Sequence, residues 1–230
     1  MSKKPAIRTT KRVAQRVKPE IYELKITLLG SKPPIWRRIA VPSDMRLSNL
    51  HDVIQIVMGW GNYHLHQFVV PNTRPKPMRE ELASLGWQAR YEKLIMHRDR
   101  CWSDPRMEVE GAEDESKMKL CEMAPAVKNK FIYEYDFGDG WDHEIKVVKV
   151  GPPVEGANYP VCLAGELACP PEDCGGVWGY YEMLDVLKDP QHEGYEELAE
   201  WLEDDFDPEL FDIEKVNAAL TKLRRKRKLQ

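Results

Sequence analysis

The fifteen residues from Phe131 to Ile145 contain five carboxylates and one histidine. Carboxylates and imidazoles are common ligands of divalent cations, and a bound cation can activate water for hydrolysis. The candidate ligands within this run are Asp136, Asp139, Asp142 and His143. This chemistry predicts a divalent-metal-dependent hydrolase or nuclease as one candidate function.

A β-hairpin is the element that must position these side chains. Apolar residues alternate on both sides of the turn sequence Gly138-Asp139-Gly140, and this pattern predicts two antiparallel strands. A three-residue loop would place Tyr135 opposite His143 and would collect the aromatic residues on one face. The hairpin is therefore expected to carry one apolar aromatic face and one acidic face.

The same register places Asp136 directly opposite Asp142 on the acidic face. Opposed like charges destabilise a strand pair by a few tenths of a kcal/mol to about 1 kcal/mol. Several alternatives can compensate: screening on a solvated face, a bound cation, a basic protein or peptide partner, or Arg37 and Arg38 of the same chain. The residues leave all of these open.

A second group of reactive side chains lies in the loop from Cys162 to Gly176. Its three cysteines are separated by six and by four residues, unlike the short spacing of common zinc sites. A tetrahedral zinc site would take its fourth ligand from a histidine, while the alternative is that the cysteines pack within a loop held by prolines and glycines. The candidate metal ligands in this set are Cys162, Cys169, Cys174, His64 and His66, with His143 as a further choice.

Glu172 and Asp173 belong to the same loop, and we expect them to converge with the hairpin acids at one candidate site. His64 and His66 lie two residues apart on a predicted strand, so they share a face at a separation of about 7 Å. This pair can bind a metal, or the histidines can be half-buried and hydrogen-bonded beside apolar neighbours. The implied cofactor is a divalent metal, either zinc or magnesium and manganese.

The order of predicted elements indicates an α+β fold. We expect a mostly antiparallel sheet with helices packed on one side, in a single domain with a helical C-terminal part. Residues 71–130 show few periodic runs and are expected to form a long excursion with a short helix near Arg79–Leu85. Outside the hairpin, the predicted strands are 21–28, 35–41 and 64–70, and the predicted helices are about 47–57, 178–187, 195–202 and 213–227.

The composition excludes several protein classes. With 230 residues, 42% of them hydrophobic, the chain fits one ordinary domain. No run of about 18 apolar residues occurs, and no apolar stretch follows the basic N-terminus, so we expect neither a membrane span nor a secretory signal. Five cysteines without a signal favour a reducing compartment and a cytoplasmic location.

Charge is distributed unevenly along the chain. Residues 1–19 contain seven Lys/Arg and residues 222–230 contain six, with no acid in either segment. The other 21 basic residues are opposed by 38 acidic ones, so the body between the two segments carries a net charge of −17. We predict a basic disordered tail at 1–18, an α+β domain at 19–220 and a basic C-terminal tail at 221–230.

Basic tails of this kind can contact nucleic acid, because lysine and arginine neutralise phosphates and release counterions. They can equally fold back on the acidic body, or end in a helix whose basic last turn opposes the helix dipole. No nucleophile elbow, Walker loop, dinucleotide fingerprint or H-E-x-x-H motif is present in the sequence. Whether the protein is an enzyme is therefore left open.

Several segments together resemble one known protein family. In the N-terminal half these are Ile35-Trp-Arg-Arg38, Val41-Pro42, Leu50-His51, Gly59-Trp60 and His64-Leu-His66. In the C-terminal half they are Tyr135-Asp-Phe-Gly-Asp139 with Trp141 and His143, and Cys169-Pro-Pro-Glu-Asp-Cys-Gly-Gly176 with Gly179-Tyr180. Over about residues 19–220 the chain resembles the plasmid ORF-three-like family, whose members are similar to proteins found on plasmids and insertion elements.

The resemblance implies a cytoplasmic accessory or binding protein of mobile-element type, and it supplies no catalytic residues. Such a protein would contact nucleic acid or a protein partner through the tails 1–19 and 222–230 and through the acidic hairpin face. The alternative function is the divalent-metal-dependent hydrolase or nuclease that uses the hairpin carboxylates and His143.

Overall fold

The computed structural model describes residues 19–72, 89, 99–202 and 206–228. The strands are β1 (Ile21–Leu28), β2 (Trp36–Pro42), β3 (His66–Val70), β4 (Arg100–Ser103), β5 (Glu113–Asp114), β6 (Lys130–Tyr135), β7 (Trp141–Gly151) and β8 (Val161–Glu166). The helices are α1 (Leu47–Met58), α2 (Leu120–Met123), α3 (Gly176–Leu187), α4 (Tyr195–Trp201) and α5 (Ile213–Lys228). The basic tail predicted at 1–18 and the short helix predicted near Arg79–Leu85 lie outside the described residues.

The eight strands form one sheet in the order β5-β4-β3-β6-β7-β1-β2-β8. Neighbouring strands are antiparallel except β4 and β5, which are parallel. The predicted α+β fold with a mostly antiparallel sheet is therefore confirmed. Within the described ranges, every helix is too short or too polar to cross a lipid bilayer.

Helix α1 contributes one side of the hydrophobic core. Its apolar residues recur at helical spacing and are each at most 1% exposed: Leu47, Leu50, Val53, Ile54 and Val57. Burying such a side chain stabilises the fold by about 1.5–3 kcal/mol before the entropy cost is counted. The helix ends at Gly59, whose φ of 97° lies in the left-handed region that favours glycine.

Strands β6 and β7 form the predicted hairpin, but in a register shifted by two residues. Tyr135 pairs with Trp141, so the loop spans residues 136–140 instead of the three residues that were predicted. Because strand side chains alternate with a period of two, this shift leaves the side chains of the paired strands on their predicted faces. The aromatic face is accordingly buried, with Tyr133, Tyr135 and Trp141 fully inaccessible to solvent. Phe137, which was expected opposite Trp141 on the aromatic face, instead lies in the loop and is exposed.

The acidic face has different partners from those predicted. The predicted opposition of Asp136 and Asp142 is wrong, because Asp142 pairs with Glu134 and Asp136 lies in the loop. Burial raises the pKa of both Glu134 and Asp142. The carboxylate of Glu134 accepts a hydrogen bond from the side-chain amide of Gln67 on β3. A neutral amide, and not a cation, is therefore the partner of this acid.

Of the alternatives left open for compensating the hairpin acids, the pairing with Arg37 or Arg38 is not found in the structure. Arg38 forms an ion pair with Glu23 on the neighbouring strand β1, at 2.6 Å. Arg37 is only 1% exposed, and its guanidinium donates to three backbone carbonyl oxygens at 2.8–2.9 Å. Neither arginine is paired with the acidic face of the hairpin.

Helix α5 packs against β8, the strand at one edge of the sheet. The side chain of Asn217 accepts a hydrogen bond from the backbone N–H of Cys162 at 2.8 Å and donates to its carbonyl oxygen at 3.0 Å. Farther along the helix, Arg227 forms an ion pair with Asp52 of α1 at 2.5 Å. The boundary predicted between 220 and 221 therefore falls inside α5, and residues 221–228 belong to a packed helix.

Candidate metal centre

The hairpin loop 136–140 and the loop that follows β8 meet in the structure. Asp139 Oδ2 accepts a hydrogen bond from the backbone N–H of Gly175 at 3.1 Å. Gly176 lies so close to the carbonyl oxygen of Asp139 that a Cβ at this position would overlap it, and its φ is +71°. Only glycine fits such a position without strain. The structure thus brings Asp139 next to the loop that carries Glu172 and Asp173.

Glu172 connects three separate parts of the chain. Its Oε1 accepts a hydrogen bond from the hydroxyl of Tyr135, and its Oε2 accepts one from the backbone N–H of Gly61 at 2.9 Å. Burial, together with the adjacent Glu172 carboxylate, raises the pKa of Tyr135. Glu172 therefore links the loop after β8 to strand β6 and to the segment that follows α1.

His64 lies between two of the aspartates that the sequence placed in the candidate site. Its Nδ1 is 3.6 Å from Asp136 Oδ2, and its Nε2 is 3.3 Å from Asp173 Oδ1. One potential ligand atom from each residue lies within 4.8 Å of the other two. Across the parts of the chain that the structure describes, this is the one group of three or more His, Cys, Asp or Glu side chains able to hold a metal ion.

The group is anchored on one side and open on the other. The side chain of Asp136 is 11% exposed and that of His64 is 25% exposed, whereas that of Asp173 is 72% exposed. Asp136 Oδ1 accepts a hydrogen bond from the backbone N–H of Gly138 at 3.0 Å, which leaves Oδ2 directed to the group. A cation held here would keep coordination positions for water or a substrate.

Two of the three residues have unusual backbone conformations. Asp136 has φ 53° and Asp173 has φ 59°, both in the left-handed region. Aspartate tolerates this region better than most residues, and non-glycine residues that occupy it are concentrated at functional sites.

His143 does not join this group. It is fully buried, and its Nδ1 donates to the carbonyl oxygen of Tyr133 at 3.2 Å. Burial lowers the pKa of His143 to about 4, so the imidazole is neutral near pH 7. Its position on the aromatic face of the hairpin follows from the alternation of the strand, which separates it from the loop acids.

His66 is likewise directed into the interior, although the sequence paired it with His64. Its Nε2 lies 2.9 Å from Glu115 Oε2, and both side chains are at most 4% exposed. The ring of His66 also stacks on that of His51. Sequence reasoning missed this buried network because Glu115 lies in the region 71–130, where few periodic runs predict a structure.

The three thiols of the proposed zinc set are not brought together with a histidine in the described residues. Cys162 donates weak hydrogen bonds to the carbonyl oxygens of Arg38 and Ala164 at 3.6 and 3.5 Å. Burial raises the pKa of the Cys174 thiol to about 12, and it raises the pKa of Cys169 as well. Thiols in these surroundings are protonated packing groups near pH 7.

The sequence grouped His64 with the three cysteines of the loop 162–176, whereas the structure places it beside Asp136 and Asp173. Since β3 pairs with β6, His66 stands opposite Tyr135, and His64 therefore reaches the start of the hairpin loop. Strand spacing alone does not reveal which strands are neighbours, so the sequence did not indicate this contact.

Comparison with known proteins places the chain in a family. Residues 20–215 match the family described as plasmid pRiA4b ORF-3-like protein. The chain is similar to "Uncharacterized protein y4hQ" of Sinorhizobium fredii (strain NBRC 101917 / NGR234), with 35% identity over 205 residues, which cover 88% of this chain and 92% of the relative.

A solved structure is similar as well. The crystal structure of the protein of unknown function MM3350 from Methanosarcina mazei Go1 superposes with a TM-score of 0.70 at 39% identity, covering 86% of this chain and 98% of the other. The sequence match extends from the first strand of the sheet into helix α5, and it includes both loops that meet at Asp139. The chain therefore belongs to the plasmid pRiA4b ORF-3-like protein family.

Proposed function

We propose that this protein binds a divalent cation through His64, Asp136 and Asp173 and presents the open side of that ion to a substrate. The observation that carries the proposal is the convergence of one imidazole and two carboxylates within 4.8 Å. Ligands bonded at about 2.1 Å to a single tetrahedral ion are about 3.4 Å apart. The three side chains would therefore have to move closer together, with His64 offering one of its two ring nitrogens, to complete the site.

The donor set suggests which ions would be bound. An imidazole with two carboxylates suits zinc or manganese, and it suits magnesium less because that ion prefers oxygen ligands. An ion with three protein ligands retains positions for water, and it lowers the pKa of that water toward neutrality. Hydrolysis is the reaction class that this chemistry supports. Asp136 and His64 would hold the ion from the protein side, and the exposed Asp173 would be the third ligand on the solvent side.

The sharpest test compares two aspartates of the same hairpin. Asp136→Asn keeps an oxygen that can accept the loop hydrogen bond and tolerates the left-handed backbone, but it removes the charged ligand. We expect this variant to bind Mn²⁺ and Zn²⁺ at least tenfold more weakly in isothermal titration of chelator-treated protein. Asp142→Asn, which changes an acid outside the group, is the matched control and should bind as tightly as the wild type.

The same distances would also suit a His64 ring that lies between the two carboxylates without a metal. Titration at two pH values separates these arrangements. A metal site should bind more tightly at pH 7.5 than at pH 5.5, because protons compete for the ligands. If neither ion binds at pH 7.5 with stoichiometric saturation, the metal proposal is abandoned in favour of the metal-free arrangement.

Hydrolysis itself is tested on the metal-loaded protein with bis(p-nitrophenyl) phosphate and with single- and double-stranded DNA and RNA. Turnover that depends on Mn²⁺ or Zn²⁺ and is lost in Asp136→Asn would support an enzyme. Metal binding without turnover on any of these substrates would instead support a binding protein that uses the ion to hold a ligand.

A second candidate function rests on the C-terminal helix α5. Lys222, Arg225 and Lys226 lie at helical spacing on one face, and all three are exposed. Arg227 is occupied by its ion pair with Asp52. We propose that the exposed basic face contacts nucleic acid or an acidic protein, as an accessory factor of a mobile element would.

Charge reversal tests this basic face without removing the helix. The triple change of Lys222, Arg225 and Lys226 to glutamate should abolish retention of duplex DNA in filter binding at low salt. The retention of the wild type should fall steeply as salt is raised. Reversal of Lys130, Lys146 and Lys149 on the hairpin strands is the control, and an equal loss there would indicate only a nonspecific effect of net charge.

A further inference from the structure

Arg37 is the most deeply buried cation in the described part of the chain. It is 1% exposed although its strand neighbour Arg38 is exposed. Its Nε donates to the carbonyl oxygen of Val57 at 2.8 Å, and its Nη1 donates to those of Trp36 and Glu166 at 2.9 Å. These bonds fix the guanidinium but supply no negative charge.

Among the described residues, no carboxylate pairs with Arg37. None of their carboxylate oxygens lies within 4.0 Å of a guanidinium nitrogen, which is the limit for an ion pair. Burial lowers the pKa of Arg37, although an arginine stays charged under ordinary conditions. The ring of Phe211 covers the guanidinium, with 4.0 Å between the Cζ atom and the ring centre. A buried, unpaired cation costs several kcal/mol unless an anion accompanies it.

A cavity of about 550 Å³ lies beside this arginine, which forms part of its wall. This volume is in the range of sites that bind small organic molecules. Most of the remaining wall is apolar and is formed by Ile56, Trp60, Leu210, Phe211, Val216 and Ala219, among others. The cavity therefore combines one buried cation with a hydrophobic surface.

The acidic residues that the structure describes at the cavity each accept at least one hydrogen bond. Glu172 accepts hydrogen bonds from Tyr135 and Gly61 through its two oxygens. Asp207 and Asp212 each accept a backbone N–H through Oδ1, at 2.9 and 2.8 Å, and Asp212 does so at the start of helix α5. These carboxylates stabilise local backbone and do not pair with the guanidinium.

We propose that the cavity binds a small organic carboxylate whose negative group pairs with Arg37 and whose apolar body packs against the hydrophobic wall. The arginine provides a charge-assisted hydrogen bond, which is stronger in a site that excludes water. The wall provides affinity in proportion to the apolar area that it covers. The site is distinct from the metal group, because His64, Asp136 and Asp173 do not line the cavity.

The probe is octanoate, and octanamide is its uncharged counterpart of equal length. At about ten times its Kd, octanoate should raise the Tm of the wild type by about 3–5 °C in differential scanning calorimetry. Octanamide at the same concentration should raise it by less than a third of this amount. Equal shifts for the two compounds would overturn the proposal. The absence of any shift with octanoate at up to a 20-fold molar excess over the protein would overturn it as well.

Three variants locate the binding. Arg37→Met keeps the length of the side chain but removes the charge, and it should weaken octanoate binding at least tenfold. If this variant does not fold, Ala219→Phe provides an independent result, because it fills the cavity without changing the arginine and should also abolish binding. Ala218→Phe alters an exposed position of the same helix outside the cavity and should bind octanoate normally.

The metal variant Asp136→Asn distinguishes the two proposals, and it should retain the full response to octanoate. Loss of octanoate binding in Asp136→Asn, or its persistence in both Arg37→Met and Ala219→Phe, would show that the anion does not occupy this cavity.

Discussion

His51 and His66 stack face to face, with ring centroids 3.5 Å apart and an interplanar angle of 6°. Asn62 Oδ1 accepts a hydrogen bond from His51 Nε2 at 2.8 Å, so His51 Nδ1 is the acceptor for the Tyr133 hydroxyl. Burial, and then the proximity of His66, lowers the pKa of His51 to about 3. The stacked pair is therefore arranged to keep His51 neutral.

The pH dependence of stability follows from His51 and His143, whose folded-state pKa values are about 3 and about 4. Below about pH 6.5 the unfolded chain takes up protons on these imidazoles while the folded chain does not. Above that pH their full contribution to the free energy of unfolding is present. As the pH is lowered, each histidine should reduce the free energy of unfolding by about 1.4 kcal/mol per pH unit.

Urea unfolding between pH 7.5 and pH 4.5 measures this loss. His143→Gln should have a shallower slope than the wild type below pH 6.5, whatever its stability at pH 7.5. His192→Gln, which changes an exposed histidine, is the control and should follow the wild-type curve. A wild-type free energy of unfolding that is constant over this range would contradict the assignment.

Gly176→Ala should separate the two loops at the candidate metal centre. The new Cβ would overlap the carbonyl oxygen of Asp139, and the residue would have to keep a φ of +71°. We expect a loss of about 1–3 kcal/mol in the free energy of unfolding, together with weaker Mn²⁺ binding. Gly151→Ala, where a Cβ meets nothing within 4 Å, should change neither quantity measurably.

Asp142→Asn should stabilise the hairpin at pH 7. Asp142 stands opposite Glu134 on the neighbouring strand. Burial raises the pKa of both acids, so their ionised forms are disfavoured, and the two negative charges also repel each other. The gain should be a few tenths of a kcal/mol to about 1 kcal/mol, and it should shrink as salt is added. Thermal unfolding at low and high ionic strength provides the measurement.

Glu144→Gln on the same strand should act in the opposite direction. Glu144 forms an ion pair with Lys130 at 2.7 Å, and this exposed contact is worth at most about 1 kcal/mol. Stabilisation by both substitutions would mean that net charge, and not the pairing of individual acids, controls the hairpin.

A double-mutant cycle on Tyr135 and Glu172 should reveal the link between the hairpin and the loop after β8. Tyr135→Phe and Glu172→Gln both weaken the hydrogen bond between the Tyr135 hydroxyl and the Glu172 carboxylate. The losses should be less than additive, with a coupling energy of about 1–3 kcal/mol from urea unfolding. Independent, additive losses would indicate that the hydroxyl and the carboxylate do not interact in solution.

The sequence predicted the alternation of the hairpin correctly but not its register, and the reason is geometric. A shift of two residues leaves the apolar and acidic faces unchanged, so hydrophobic pattern cannot distinguish the two loops. The choice depends on Asp136, which takes a left-handed conformation and binds the Gly138 N–H through its side chain. Local loop chemistry of this kind is not encoded in periodicity.

The candidate site was predictable only in part. Asp136 and Asp173 belonged to the candidate acids, but His64 was grouped with Cys162, Cys169 and Cys174, because the sequence does not specify which loops meet. The sequence left Arg37 as one of several possible counter-charges for the hairpin acids, and its burial was not foreseen because arginines are mostly exposed. Its burial depends on Val57 of α1, Glu166 of β8 and the ring of Phe211, which only the tertiary fold brings together.

The amide of Asn217 imitates a neighbouring strand, because it satisfies both the N–H and the carbonyl oxygen of Cys162 on β8. An uncovered edge strand is a template on which another chain can add. The C-terminal helix therefore blocks the addition of a strand from another molecule to β8. A chain shortened before residue 213 would leave this edge uncovered, and we expect it to self-associate.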